Sequence, residues 1–334
     1  MNSFGRIFRI HIFGESHGEC VGLTIDGCPA GLPLNASDFI EDIERRKGGV
    51  QKGTTPRKED DVPIFKSGLF NGHTTGAPVT ILFENNNTRS SDYEKQRAVP
   101  RPGHADFTAH AKYGGFQDFR GGGHFSGRLT VCLVAAGVIA KKLLQNIQVR
   151  STILEIGGET DLEKGLDKAI EAKDSIGGIV ECRVNGLPVG LGEHFFDSVE
   201  SLLSHAVFAI PAVRGVEFGS GFAAAKMFGV DHNDAIEDSS GKTRTNHAGG
   251  VIGGITNGNE LVYRIAIKPT SSTPKEQTTW NRETNEVETF SVKGRHDLCI
   301  ALRVPVILEA VTAIVLTDLM LLDQKIKPVL TTHD

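Results

Sequence analysis

Short runs rich in apolar and β-branched residues at 21–25, 79–83, 178–184 and 261–267 have the length and composition of strands, and the apolar segment 7–13 reads as another. Two longer runs behave differently. Residues 127–144 and 306–322 are apolar around nearly the whole of a helical projection, which predicts two helices buried on most faces. Ser126 can cap the first, and Pro305 stands at or near the first turn of the second. Shorter helices are expected over 36–46 and 196–208. From 84 to 126 the periodicity fails, and a stretch that long without regular structure is usually functional or disordered. Its Phe107, Tyr113, Phe116 and Phe119 argue against disorder, because disordered segments are poor in aromatics.

A short duplication accompanies this pattern. Gly27-Cys28-Pro29-Ala30-Gly31-Leu32 and Gly186-Leu187-Pro188-Val189-Gly190-Leu191 share Gly-x-Pro-x-Gly-Leu, each after an expected strand and before an expected helix. Turn chemistry alone also produces Gly-x-Pro. As a repeat, it predicts an α/β (α+β) fold of two similar halves packed as one unit over 1–334, since no Pro/Ser-rich linker separates them.

Composition narrows the partners. A net charge of -5 with 23% charged residues provides no overall positive field for nucleic acid, so any anion site must be built from local cations. The five cysteines are widely spaced, without a Cys-x-x-Cys pair, which fits a reducing compartment. Arg6, Arg9 and His11 interrupt the apolar residues of 1–14, unlike a signal peptide, and the longest apolar run, 131–140, is far short of a membrane span. A cytoplasmic protein with no membrane partner is expected.

Several segments carry candidate chemistry. Gly14-Glu15-Ser16-His17-Gly18 places Ser16 and His17 at a strand end, where the histidine can be a general acid or base, or simply the exposed member of a Ser-capped turn. Six cations, Arg45, Arg46, Lys47, Lys52, Arg57 and Lys58, fall within fourteen residues. They either complement the dipole of the helix ending at Arg46 or, with Gly48, Gly49 and Gly53 breaking the chain, fold around an anion. Arg101-Pro102-Gly103-His104-Ala105-Asp106 lies in the irregular stretch; His104 and His110 lack zinc-ligand spacing, so no metal site is expected. Arg120-Gly121-Gly122-Gly123-His124-Phe125-Ser126-Gly127-Arg128 opens a helix as either a hinge or an anion cradle. Lys268-Pro269-Thr270-Ser271-Ser272 ends a strand with a hydroxyl-rich turn, again a cap or an anion contact.

In order and spacing these segments resemble chorismate synthase over nearly the whole chain. Residues 14–29 match its first signature, Gly123-His124-Phe125-Ser126-Gly127-Arg128 through Gly137 its second, and Gly294-Arg295-His296-Asp297 onward its third. Thr54-Thr55-Pro56-Arg57, Asn246-His247-Ala248-Gly249-Gly250 and the Lys268 turn stand between them as further landmarks. The resemblance implies a layered β-α sandwich, usually a homotetramer, and a carbon-oxygen lyase of aromatic amino acid biosynthesis in the shikimate pathway. Its reaction is a 1,4-anti elimination of the 3-phosphate and the 6-pro-R hydrogen from 5-enolpyruvylshikimate 3-phosphate, giving chorismate.

The implied cofactor is reduced FMN, supplied by an external flavin reductase or NAD(P)H system; an NADP-dependent flavoenzyme that reduces its own flavin is the alternative. By resemblance, Ser16, Arg46, Lys52, Arg101 and Arg295 hold the substrate. His17 is the acid at the leaving phosphate, His104 sits by flavin N1 and the C2 carbonyl, and Asp297 supports proton removal at C6. Flavin contacts fall on His124, Phe125, Ser126, Pro211, Ala212, Gly253, Lys268, Pro269, Thr270, Ser271, Ser272 and Arg295. This chain departs from the family pattern in three places. His124-Phe125 stands where Arg-Ser is common, Lys52 replaces an arginine, and Pro211 replaces a residue that is often Asn.

Overall fold

The computed structural model describes residues 2–49, 52–55, 59–87, 97–292, 296–324 and 326. Its first sheet contains β1 (Ser3–Phe4), β2 (Arg9–Gly14), β3 (Cys20–Asp26), β4 (Ile64–Ser67) and, beyond a small hairpin of β5 (Leu69–Phe70) and β6 (His73–Thr74), β7 (Val79–Glu84). The order is β1-β2-β3-β7-β4, antiparallel throughout. Register follows burial. Val21, Leu23 and Ile25 pair with Phe83, Ile81 and Val79, and all six are fully buried on one face.

The second sheet holds β8 (Gln148–Ile156), β9 (Gly178–Asn185), β10 (Val213–Phe218) and, beyond the hairpin of β11 (Val251–Ile252) and β12 (Ile255–Thr256), β13 (Leu261–Ile267), in the order β10-β13-β9-β8. A separate ribbon pairs β14 (Gln277–Asn281) with β15 (Glu286–Phe290). Read from opposite edges, β2-β3-β7-β4 and β8-β9-β13-β10 have one connectivity. Thr74 Oγ1 donates to the Pro29 carbonyl at 2.6 Å and accepts from the Leu32 N–H at 2.9 Å. Thr256 Oγ1 makes the same pair of bonds, to Pro188 at 2.7 Å and from Leu191 at 2.9 Å.

Among the described residues the α-helices longer than four residues are α1 (Ile40–Arg46), α2 (Asp106–Tyr113), α3 (Thr130–Leu144), α4 (Leu162–Ala172), α5 (Val199–Val207) and α6 (Val304–Leu322). Helix α3 packs on the first sheet, α6 on the second, and the two pack against each other as the middle of the sandwich. A Cβ on Gly137 would stand 2.5 Å from the Ala310 Cα, so the helices approach there only because the residue is glycine. The stretch Ile300–Leu322 is long and apolar enough to cross a membrane, yet 83% of an apolar 18-residue window within it is buried inside the protein, as in a core helix. Its two acids tie it down. Glu309 accepts from Arg45 at 2.7 and 2.8 Å and from the Ser151 N–H at 3.0 Å, while Asp318 accepts the N–H groups of Arg6, Ile7 and Phe8 at 2.7–2.9 Å.

Most expected elements stand within a turn of their sequence bounds. Helix α3 is entered through a 3-10 turn, Gly127–Leu129, and Ser126 Oγ caps it by accepting the Arg128 N–H. The helix expected over 196–208 begins only at Val199, because Phe195–Asp197 is a separate 3-10 turn and Ser198 is the cap. The irregular stretch contains α2. Strands β8 and β10 and helix α4 were not anticipated: both strands are sheet edges with polar exposed faces, and α4 carries Gly165 at its centre.

Candidate active site

Helices α3 and α6 begin beside one another on a cavity of about 680 Å³. Its walls come from both ends of the chain and from the glycine-rich loops between. Ile10, Ile12, Leu133, Ile307, Val311 and Ile314 form an apolar wall. Arg46, Arg101, Arg128, Arg214, Lys268 and Arg303 also line the cavity; among the described lining residues the only carboxylate is Asp297. A pocket lined by both apolar side chains and many cations suits a flat ring bearing anionic groups.

Arg46 ends α1 and is buried. Its Nη2 donates to Asp61 Oδ2 at 2.7 Å and its Nη1 to Thr130 Oγ1 at 3.2 Å, while Nε has no protein partner among the described residues. Arg128 pairs with the other Asp61 oxygen, and its remaining donors go to Asn85 Oδ1 at 2.9 Å and the Glu84 carbonyl at 3.0 Å. Burial, opposed by Asp61 and reinforced by Arg303 and Arg128, pushes the Arg46 pKa down to about 10, so it stays charged at neutral pH.

On the neighbouring wall, Arg101 lays Nε and Nη2 on Asp106 at 2.7 and 2.9 Å and reaches Ser272 Oγ with Nη1 at 3.1 Å. His104 Nδ1 lies 2.6 Å from Asp106 Oδ1, so that nitrogen carries the hydrogen, and Nε2 faces Gly122 with Arg101 Nη2 3.2 Å away. Burial alone would raise the Asp106 pKa, but the hydrogen bonds from Arg101 and His104 outweigh it and hold the carboxyl well below its usual range. Lys268 Nζ reaches the Gly103 carbonyl at 2.9 Å and Ser271 Oγ at 2.8 Å, binding the hydroxyl-rich turn to the same loop.

The glycine loop separates the two histidines. A Cβ on Gly121 would stand 2.5 Å from His17 Nε2 and 3.1 Å from Ser16 Oγ, and one on Gly122 would stand 3.3 Å from His104 Cε1. Both glycines have positive φ, 59° and 81°, which L side chains rarely adopt. His124 Nδ1 meets the Gly14 carbonyl at 2.8 Å and the Ser16 N–H donates to the Gly123 carbonyl at 3.1 Å, closing this loop onto the Ser16-His17 turn. Ser16 and His17 are buried directly behind Gly121, which itself lines the cavity. Asp297 accepts the Thr55 N–H at 2.9 Å and pairs with Arg303 at 3.2 Å.

Of the residues expected from sequence, Arg46, Arg101, His104, His124, Phe125, Ser126, Pro211, Ala212, Lys268, Thr270, Ser271, Ser272 and Asp297 line this one cavity. Ser16 and His17 lie behind Gly121, and four more fall elsewhere or outside the described residues. Lys52 is exposed and pairs with Asp167 at 2.6 Å, and it is not part of the lining. Gly253 sits in the β11-β12 turn, also outside the lining, and Pro269 turns away between lining residues. Arg295 lies outside the described residues. Sequence reading passed over Asn85, Asp61, Asp106, Arg214 and Arg303. Arg214 had a recognisable cause only in three dimensions: it is the extra residue of a β-bulge, since Val213 and Gly215 pair with the consecutive residues Ile267 and Ala266.

Comparison with known proteins places this arrangement. The chorismate synthase family profile matches residues 8–321. A chorismate synthase of Chitinophaga pinensis is 71% identical over 326 residues, 97% of this chain and 98% of its own, and one of Dehalococcoides mccartyi is 46% identical over 96% of each chain. A chorismate synthase crystal structure, 25% identical, superposes with a TM-score of 0.73 over 96% of this chain and 93% of its own. With the profile and the relatives alike running along almost the entire length, the chain belongs to the chorismate synthase family.

Proposed function

We propose that this protein is a chorismate synthase, a lyase that converts 5-enolpyruvylshikimate 3-phosphate to chorismate and phosphate by 1,4-anti elimination, with reduced FMN bound in the same cavity. The observation that carries the reading is the lining itself: among the described residues, six arginine and lysine side chains and one carboxylate together with a set of apolar side chains. A substrate with two carboxylates and a phosphate needs such a cluster, because each anion leaves water only against fixed cations. The Arg46 N–H without a protein partner is buried, and a bound anion would satisfy it.

The cavity also fits a flavin: the apolar wall accepts a ring system, and Lys268, Ser271, Ser126 and Arg214 offer donors to its polar and phosphate groups. Reduced FMN would supply electron density that helps the phosphate depart and takes it back, so no net redox change results. The protein's own contribution is positioning and protons. Asp106 holds the His104 Nδ1 hydrogen, and Nε2, 3.2 Å from Arg101 Nη2, is the ring nitrogen assigned to a polar atom of a bound ring. His17, buried behind Gly121, is assigned the proton for a leaving phosphate oxygen, a role that needs the loop at Gly121 to accommodate ligand. Asp297 is the carboxylate available to accept the C6 proton.

The reductant is assigned to an external flavin reductase or NAD(P)H system, and the compartment to the cytoplasm, in keeping with five free cysteines. Association into a homotetramer is the reading of the large exposed aromatics, among them Phe195, Phe196, Phe222 and Phe228, each at least 79% exposed. The repeated strand order and the matched Thr74 and Thr256 bonds support descent of the single 1–334 unit from a duplicated half. Anaerobic incubation of the purified protein with reduced FMN and the phosphorylated substrate tests the central reading: chorismate and phosphate should appear in equal amounts, and the absence of both overturns it.

A further inference from the structure

Asn85, just past the end of β7, makes four hydrogen bonds that join two parts of the site. Its Nδ2 donates to the Glu15 and Gly18 carbonyls, both at 2.9 Å, spanning the Ser16-His17 turn from one end to the other. Its backbone N–H donates to the Glu19 carbonyl at 3.1 Å, and its Oδ1 accepts the Arg128 Nε hydrogen at 2.9 Å. The amide orientation is therefore determined, with both donors on carbonyls and the acceptor on a guanidinium.

Arg128 is held mainly by the protein. Its side chain is 3% exposed, and each of its three nitrogens has a protein partner: Nε on Asn85, Nη1 on Asp61 and Nη2 on the Glu84 carbonyl. Asp61 is completely buried at the side chain and gives one oxygen to Arg128 and the other to Arg46. A continuous polar chain thus runs from Arg46, at the anion-binding wall, through Asp61, Arg128 and Asn85 to the backbone on either side of His17.

We infer that Asn85 is a positioning residue for His17, and that Arg128 and Asp61 act as the brace connecting its placement to the Arg46 anion site. The inference rests on the proposed function for the role of His17. Asn85 touches neither the cavity nor His17 itself; it fixes the turn that carries the histidine. A displacement of about 1 Å at a reacting group can cost on the order of 100-fold in rate without loss of substrate binding. Its removal should therefore lower kcat far more than it alters KM.

The test is a double-mutant cycle of Asn85→Ala with His17→Ala, joined by Asn85→Asp. Asn85→Asp keeps the acceptor for Arg128 but is acceptor-only toward the two carbonyls, so it isolates the grip on the turn and remains informative where the alanine variant folds poorly. The expected result is a fall in kcat of about 10- to 100-fold for either Asn85 variant with KM changed less than about threefold, and no further fall when Asn85→Ala is added to His17→Ala. An additive cycle, or an Asn85→Asp enzyme as active as the unaltered one, overturns the inference. Nitrogen-15 NMR of the His17 ring gives a second readout that needs no turnover: its resonances should move in Asn85→Asp, and unmoved resonances overturn the inference independently. An inactive unaltered protein would instead defeat the proposed function, a result the NMR arm keeps separate.

Discussion

Gly121 and His17 occupy adjoining space so closely that a single methyl group on the glycine would stand 2.5 Å from the imidazole Nε2. The consequence is specific. Gly121→Ala must either displace the His17 ring or distort a backbone already at φ 59°, which costs an L residue about 1–2 kcal/mol. A folded protein with a modestly lowered Tm and chorismate formation reduced at least about tenfold is expected, the loss lying in kcat. Thermal melts beside steady-state kinetics check both parts.

Arg46 lies where burial pushes its pKa down to about 10, and a lysine starts from a lower value, about 10.4, in the same surroundings. Arg46→Lys therefore loses the two-pronged contact to Asp61 and Thr130 and also drifts toward the neutral amine as pH rises. The KM for substrate should increase about 10- to 100-fold at pH 7 and rise further between about pH 7 and 9. An unaltered enzyme whose KM rises in parallel over that range would show that another group is titrating.

Lys52 provides the contrasting case. Its ammonium is exposed, paired among the described residues with the exposed Asp167, and outside the cavity lining. Exposed pairs of this kind contribute little, so Lys52→Ala should leave kcat/KM within about twofold of the unaltered enzyme. Steady-state kinetics at low and moderate salt suffice to measure it.

Asp106 makes a prediction about stability and pH. Burial disfavours its charge, yet Arg101 and His104 hold the folded-state pKa below that of an unfolded aspartate. Its ionised form therefore stabilises the fold above about pH 4, and that contribution disappears as pH falls toward the folded-state value. Asp106→Asn should be less stable than the unaltered protein by roughly 2 kcal/mol at pH 7, with the difference narrowing below about pH 4. Urea unfolding at several pH values reads this directly.

Arg214 reaches the cavity because a bulge turns it there, beside Lys268 and after Ala212 at φ 75°. It has no carboxylate partner among the described residues. Arg214→Gln should weaken FMN binding by about tenfold and riboflavin binding much less, since only FMN carries the phosphate. Equal losses for both flavins in fluorescence titrations would place the arginine at another part of the ligand.

The parts of this molecule that were readable from sequence are those where chemistry is local. The strand at Leu261–Ile267 and the two central helices announce themselves by mostly apolar composition, because extensive burial leaves little polar face to confuse the pattern. The edge strand β8, reading Gln148-Val149-Arg150-Ser151, looks like a loop because half of it faces solvent. The site divides similarly. His17, His104 and Arg46 stand in short motifs whose residue types suggest their chemistry. Asn85 and Asp61 look ordinary in sequence, and their significance comes from Arg128, 43 and 67 residues further along, which meets them only after folding. Lys52 misled for the reverse reason: it sits among arginines and glycines that suggest an anion loop, while its side chain leaves the cluster for Asp167.

Because Phe4 near the start and Ile314 near the end of the chain share one cavity wall, no partially synthesised polypeptide has a pocket to fill. Ligands can recognise only a finished molecule, and their binding energy must be distributed over closure of the entire sandwich rather than over one loop. Any ligand bound there would then stabilise the completed protein: its scarcity would leave the population closer to unfolding, and its abundance would extend the lifetime.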